Sequence, residues 1–181
     1  MNYNEAVFCH QYPVVVFFAQ HLAYYRGLKA AWDGITEHKE FWASTVSGHL
    51  KLATTAWCNV FGSRKSDMHW TKTPTGNIPK PAREDFTHKV LSKTGFTQEQ
   101  WETYHKGMLA FRDKYVAHMD LHNPFNEPVP PFDPALQVAY AYEEWVRELT
   151  KAVIWGQPTL SSLYEQCERE ASSVVPWQPR P

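Results

Sequence analysis

From Thr97 to Asn123-Pro124 apolar residues recur every three or four positions, with no proline to interrupt them. This stretch constrains the fold more than any other. Trp101, Tyr104, Met108, Phe111 and Tyr115 share one stripe of a helix, because side chains three and four apart stack on the same face. Thr97 followed by Gln100 reads as a capping box, and Phe96 with Trp101 as a hydrophobic staple, which together place the helix start. The helix is expected to run to about Leu121, where Asn123-Pro124 stops it.

The other segments punctuate themselves in the same way. Pro13 suits the first turn of a helix reaching Trp32, with Phe17, Phe18, Leu22, Tyr25 and Leu28 at helical spacing before Asp33-Gly34 breaks the chain. Thr36 is the expected N-cap of a second helix through Phe61, closed by Gly62. Its inner face is expected to carry Phe41, Trp42, Val46, Leu50, Ala53, Trp57 and Val60 or Phe61. Residues 63–81 read as a long polar loop, and 82–93 as a short helix ending near Gly95. A second proline-rich loop covers 123–134. Asp133-Pro134 then opens a helix as N-cap and first-turn proline, with Leu136, Tyr140, Trp145, Val146, Leu149 and Val153 inward and Gly156 at its end. A last helix at 159–171 precedes an extended tail.

No segment alternates with period two between hairpin turns, and there are no repeats. The expected fold is therefore all-α: an antiparallel helical bundle of four main helices plus short extra ones. The 181 residues suit one domain, with a core at about 13–156 and the terminal helix and tail outside it. Aromatics at 15%, eight Trp among them, point to a core packed from large rings. The apolar run Val14–Ala19 is cut short by Gln20, His21 and Arg26, well below the ~20 residues of a span. It also lacks the flanks of a signal peptide. Cys9, Cys58 and Cys167 are odd in number and share no metal-ligand spacing, which suits reduced thiols in a cytoplasmic protein. Cys58 reads as a small buried residue. A formal net charge of -1 argues against a broad basic surface for non-specific nucleic-acid binding.

Two residues break the pattern of the helix that starts at Thr97. On the wheel Arg112 falls near the centre of the apolar face, between Leu109, Val116 and Met119, and His118 falls at its edge. Asp113, Asp120, Glu102 and Lys106 take the wetter side. A histidine beside an aromatic stripe is ordinarily a core residue bonded to a carbonyl. A buried arginine needs a partner, for which Glu143 or Glu144 on the next helix are candidates. Arg112 and His118 sit ~120° and ~9 Å apart on a straight helix. They converge on one small group more readily across a dimer than within one chain. His118 and His122, one turn apart, could instead share a metal. The remaining histidines, His10, His21, His38, His49, His88 and His105, show no mutual spacing that argues for chemistry.

The string Arg112-Asp113-x-x-x-x-His118, late in an amphipathic helix of an all-α domain, resembles the signature of HEPN domains (higher eukaryotes and prokaryotes nucleotide-binding). Arg112-Asp113-Lys114-Tyr115-Val116-Ala117-His118-Met119-Asp120 is most similar to the HEPN-like proteins of the AbiU abortive-infection type, and Phe61-Gly62-Ser63 with His69-Trp70 resembles a segment of their relatives. The likeness spans roughly residues 20–150. It implies a metal-independent, cofactor-free endoribonuclease or RNA-binding domain of the defence or toxin type, acting as a homodimer, with an RNA substrate and a cognate antitoxin as partners. By that resemblance Arg112 would hold the scissile phosphate and His118 would be the general acid or base. Asp113 would orient one of them, and Lys114, Tyr115, His122 and His69 are the candidates for substrate contact. The alternatives are a non-catalytic dimerisation module that keeps the motif for packing, and a metal-dependent bundle hydrolase using His118 and His122.

Overall fold

Pro13 sits in the first turn of α1 (Tyr12–Ala30), as its missing amide hydrogen allows. The computed structural model describes residues 8–74, 76–117, 129–150 and 158–174. After α1 come a 3-10 turn (Trp32–Gly34), α2 (Lys39–Phe61), a two-stranded hairpin of β1 (Lys72–Thr73) and β2 (Gly76–Asn77), α3 (Lys80–Thr94), α4 (Gln98–Phe111), α5 (Asp133–Thr150) and α6 (Leu160–Val174). The described chain is an all-α bundle apart from that hairpin, in which Lys72 pairs with Asn77. No helix among the described residues is long and apolar enough to cross a membrane.

The start of α2 differs from the expectation. Thr36 does not cap it. His38 holds the N-cap position with a left-handed φ of 52°, and α2 begins at Lys39. Phe41, expected inside, is 64% exposed, because the first turn of α2 extends past the end of the core. Trp42 and Val46 pack instead on a small satellite cluster with Leu28, Ile35 and Ala171. Asp133 also differs: its carboxylate reaches across to Arg26, 2.7 Å away, instead of capping its own helix.

The contacts set the directions of the helices. Leu28 of α1 meets the start of α2, while His21 meets His49, so α1 and α2 are antiparallel. Arg26 pairs with Asp133 and Tyr12 with Glu143, so α5 is antiparallel to α1 as well. α6 runs alongside α1 in the same direction, with Gly27 against Ala171 at one end and Glu143 linking Tyr12 to Leu160 at the other.

The core between these helices is built from rings. Phe86 packs 4.5 Å from Trp70 and 5.2 Å from Trp145, and Phe61 stacks at 6.2 Å on Phe86. The two deepest indoles satisfy their N–H groups on carbonyls, Trp57 on Ala135 and Trp145 on Ala82, as buried indoles must. Lys89 joins α3 to Glu144 and Glu148 of α5, and Lys93 joins Glu144.

Two polar side chains fasten the helices and loops. The buried Gln11 amide donates to the carbonyls of His69 (2.9 Å) and Lys72 (2.8 Å) and accepts from the Tyr142 hydroxyl (2.7 Å), so it ties the 63–79 segment to α1 and α5. The buried Glu143 carboxylate accepts from Tyr12, Arg147 and the backbone N–H of Leu160.

Gly27 governs how closely α6 lies on α1. A Cβ there would fall 2.6 Å from the Glu168 carbonyl oxygen and 2.8 Å from the Ala171 Cβ. Backbone cannot step aside as a flexible side chain does, so α6 would have to move as a body. Gly27→Val is expected to cost about 1–3 kcal/mol, read as a lower denaturant midpoint with unchanged helical circular dichroism. Wild-type stability in this variant would show that α6 does not seat on α1 as described.

Candidate functional site

The capping box that starts α4 is present: Thr97 Oγ1 accepts from the Gln100 N–H, and Gln100 Oε1 accepts from the Thr97 N–H. Phe96 packs on Tyr104, with ring centroids 5.7 Å apart. Met108 and Phe111 are buried, as the stripe requires. At Arg112 the helix changes. Residues Arg112–Ala117 form a π-helical turn instead of continuing the α-helix towards Leu121.

That turn decides the surroundings of Arg112. Its side chain is 28% exposed and not central to the core. Its partner is neither Glu143 nor Glu144. Both are engaged elsewhere, Glu143 by Arg147 and Glu144 by Lys89 and Lys93. Arg112 instead donates through Nε to Asp113 Oδ1 at 2.7 Å, with Nη2 at 2.6 Å from the same oxygen. Adjacent side chains do not face each other on a regular α-helix. The wider π turn brings them closer in angle, and the pair meets at the surface. Asp113 stays on the solvent side, 56% exposed, as the α-helical wheel has it, while Arg112 reaches it from the half-buried position. Cys58 lies close enough to sense both charges. Burial pushes its thiol up to about 12, with Arg112 working against the shift and Asp113 with it.

The neighbouring residues have distinct surroundings. The Tyr115 ring stacks on Phe111 (4.9 Å, 14° between planes), its hydroxyl lies 3.1 Å from Ser47 Oγ, and Lys51 Nζ sits 5.5 Å from its centroid. Tyr115 thus fastens the π turn to α2. Lys114 is exposed. His118 and His122 lie outside the described residues, and with them both the acid/base assignment and the paired-histidine metal alternative. Gly156, Val153 and the tail lie outside them too.

His69 belongs to a different part of the molecule. It is only 3% exposed, its ring lies 5.7 Å from Trp70, and its Nδ1 is 2.7 Å from Thr71 Oγ1 and accepts from the Thr71 N–H at 3.3 Å. Both contacts are met together when Nδ1 is the bare nitrogen and Nε2 carries the hydrogen. Burial, and after it the charges of Arg64, His105 and Lys72, lower its pKa to about 4, so the ring is neutral at pH 7. It faces a cleft of about 380 Å³ between Gly62–Trp70, α3 and the first half of α4. His105 lines the same cleft, two turns (~10 Å) before Arg112 on α4. The structure does not bring His69 and Arg112 onto one reacting group.

The fold also creates a pair that spacing in the sequence concealed. His21 Nδ1 and His49 Nδ1 are 2.7 Å apart, one donating to the other, with Phe17 and Tyr24 against the rings. Burial lowers both pKa values, and for His21 the neighbouring His49 adds to the effect. Only the antiparallel register of α1 and α2 brings them together. No group of three or more His, Cys, Asp or Glu able to hold a metal occurs among the described residues.

No family model matches the chain, and neither a curated protein nor a solved structure shows significant similarity to it.

The three depressed histidines predict the direction of acid sensitivity. The unfolded chain protonates them near ~6.5 while the folded chain does not, so stability is complete above that pH and falls as pH drops below it. For His69 the loss continues down to about pH 4. Between pH 7 and 4.5 it amounts to about 2–3 kcal/mol. Urea unfolding of His69→Gln, whose amide keeps a donor near the Nε2 position, is expected to show a correspondingly shallower pH dependence. An unchanged slope would mean that His69 titrates normally.

Proposed function

We propose that this protein is a HEPN-like RNA-binding or RNA-cleaving domain, working without a metal, in which Arg112 holds the phosphate and His118 exchanges the proton. One observation carries this reading. An arginine that reaches solvent is braced by the carboxylate beside it, on a π turn that leads into the His118 segment. π turns inside helices are frequent at functional sites, and a guanidinium fixed by a neighbour is pre-oriented for bidentate contact with a phosphate. The all-α bundle is the architecture the resemblance calls for.

In this reading the ribose 2′-OH attacks the adjacent phosphorus and the 5′-oxygen leaves. A basic imidazole takes the proton of the 2′-OH, and an imidazolium supplies one to the leaving oxygen. Arg112 stabilises the charge that builds on the non-bridging oxygens. Asp113 fixes the guanidinium through one oxygen and offsets part of its charge, so phosphate affinity would rest on geometry and on a second copy of the helix.

A second reading, a non-catalytic dimerisation module, is favoured by the large apolar side chains exposed on α1 and α2: Phe17 (40%), Phe41 (64%) and Leu52 (43%).

Purified protein is expected to nick single-stranded RNA in the presence of chelator. His118→Ala should abolish the nicking, and Arg112→Ala should slow it by about 10²–10³-fold, as seen on denaturing gels. Cleavage undiminished by His118→Ala would overturn the catalytic reading. A stable dimer with neither RNA cleavage nor RNA binding would establish the module instead.

A further inference from the structure

We propose that the cleft between Gly62–Trp70, α3 and the first half of α4 binds a small flat ring that carries one carboxylate. The inference goes beyond the RNA reading and does not depend on it. At about 380 Å³ the cleft lies within the usual range for small ligands. Its walls are aromatic. Phe61 and Phe86 are buried in its floor, and the half-buried indoles of Trp70 and Trp101 line it. Trp101 stands 5.6 Å from the His105 ring and Trp70 stands 5.7 Å from the His69 ring. Such walls accept a planar ring by offset or edge-to-face packing.

The polar groups define the rest of the ligand. His69 is 3% exposed and lines the cleft, and its Nδ1 is taken by Thr71. Its Nε2–H has no hydrogen-bond partner among the described residues and is open to the cleft, not sealed in the core. An acceptor oxygen on a ligand would satisfy it. His105 Nε2 lies 2.7 Å from the Phe61 carbonyl oxygen and must donate to it. That leaves Nδ1 as the ring nitrogen available to a ligand's ring N–H.

At the rim stand two exposed cations, Arg64 and Lys106, neither with an acidic partner among the described residues. One carboxylate, Glu102, shares the rim and already accepts from Gln98 at 2.8 Å. Two cations against one carboxylate leave a single positive charge, which suits a monoanion better than a phosphate dianion. Strongly held anions are met by such charge-assisted donors. The neutral state of His69 is consistent with a donor role, in which it adds no charge of its own.

The test is isothermal titration calorimetry of the full chain at pH 7 with indole-3-carboxylate, which has the ring, the N–H and one acid. One site per chain is expected. The Arg64→Ala/Lys106→Ala double variant changes only exposed side chains, and its thermal melt checks its fold. It should bind about tenfold more weakly. The neutral analogue indole-3-methanol should show a similar loss. Arg112→Ala should bind as wild type does, whatever its effect on RNA. Saturation without loss in the double variant would overturn the proposal, and so would no binding at millimolar probe. Tighter binding of adenosine 5′-monophosphate or inorganic phosphate than of indole-3-carboxylate would overturn the carboxylate assignment. Loss of binding in Arg112→Ala would overturn the separation of the two sites.

Discussion

The Glu143 carboxylate is the interaction on which the arrangement of helices depends. It is buried in α5, yet it accepts from the Tyr12 hydroxyl at 3.0 Å, from Arg147 at 2.8 Å and, through both oxygens, from the Leu160 N–H at 3.1 Å. A buried charge is costly unless its lone pairs are filled, and here they are filled from three helices. The first turn of α6 supplies an orphan N–H and the positive end of its dipole, both of which favour an anion. The charge also explains why the Tyr12 phenol is pushed upward, with burial as the first cause and Glu143 as the next. With α6 held at its start by Glu143 and farther along by the bare backbone of Gly27, its parallel course beside α1 is set at two points.

Much of this was legible in the sequence where the signal is local. Thr97 with Gln100, Pro13 in the first turn and the aromatic stripe on α4 all act over a few residues, and each appears in the structure where local chemistry puts it. Cys58 is buried, as its apolar neighbours imply. What was not legible depends on register or on distant partners. Asp133 has the composition of an N-cap, but Arg26 on another helix claims its carboxylate. His21 and His49 meet only because two helices are antiparallel. The hairpin at Lys72–Asn77 is too short to alternate, and its Lys72 carbonyl is held by Gln11 from far away in the chain.

For the candidate site the divide is similar. The chemistry of Arg112 and the presence of Asp113 beside it are plain in the sequence. Their contact is not, because a wheel drawn at ~100° per residue sets neighbours apart, whereas in the structure the two side chains meet on a π turn. In the sequence His69 is a candidate for substrate contact by resemblance alone, inside the polar 63–81 segment. Its burial and lowered basicity follow from a cleft that three separate segments build.

The π turn also bears on how such a chain can change. A π turn holds one residue more than the α turn it replaces. Substitutions within Arg112–Ala117 alter what the turn displays but leave its length intact. Loss of a single codon there would remove that extra residue and turn the residues that follow within the turn by about 100° relative to the apolar stripe. What Arg112–Val116 display is therefore fixed by residue count as much as by residue identity. An insertion or deletion of one residue, more than any substitution, is the change that would re-aim these side chains.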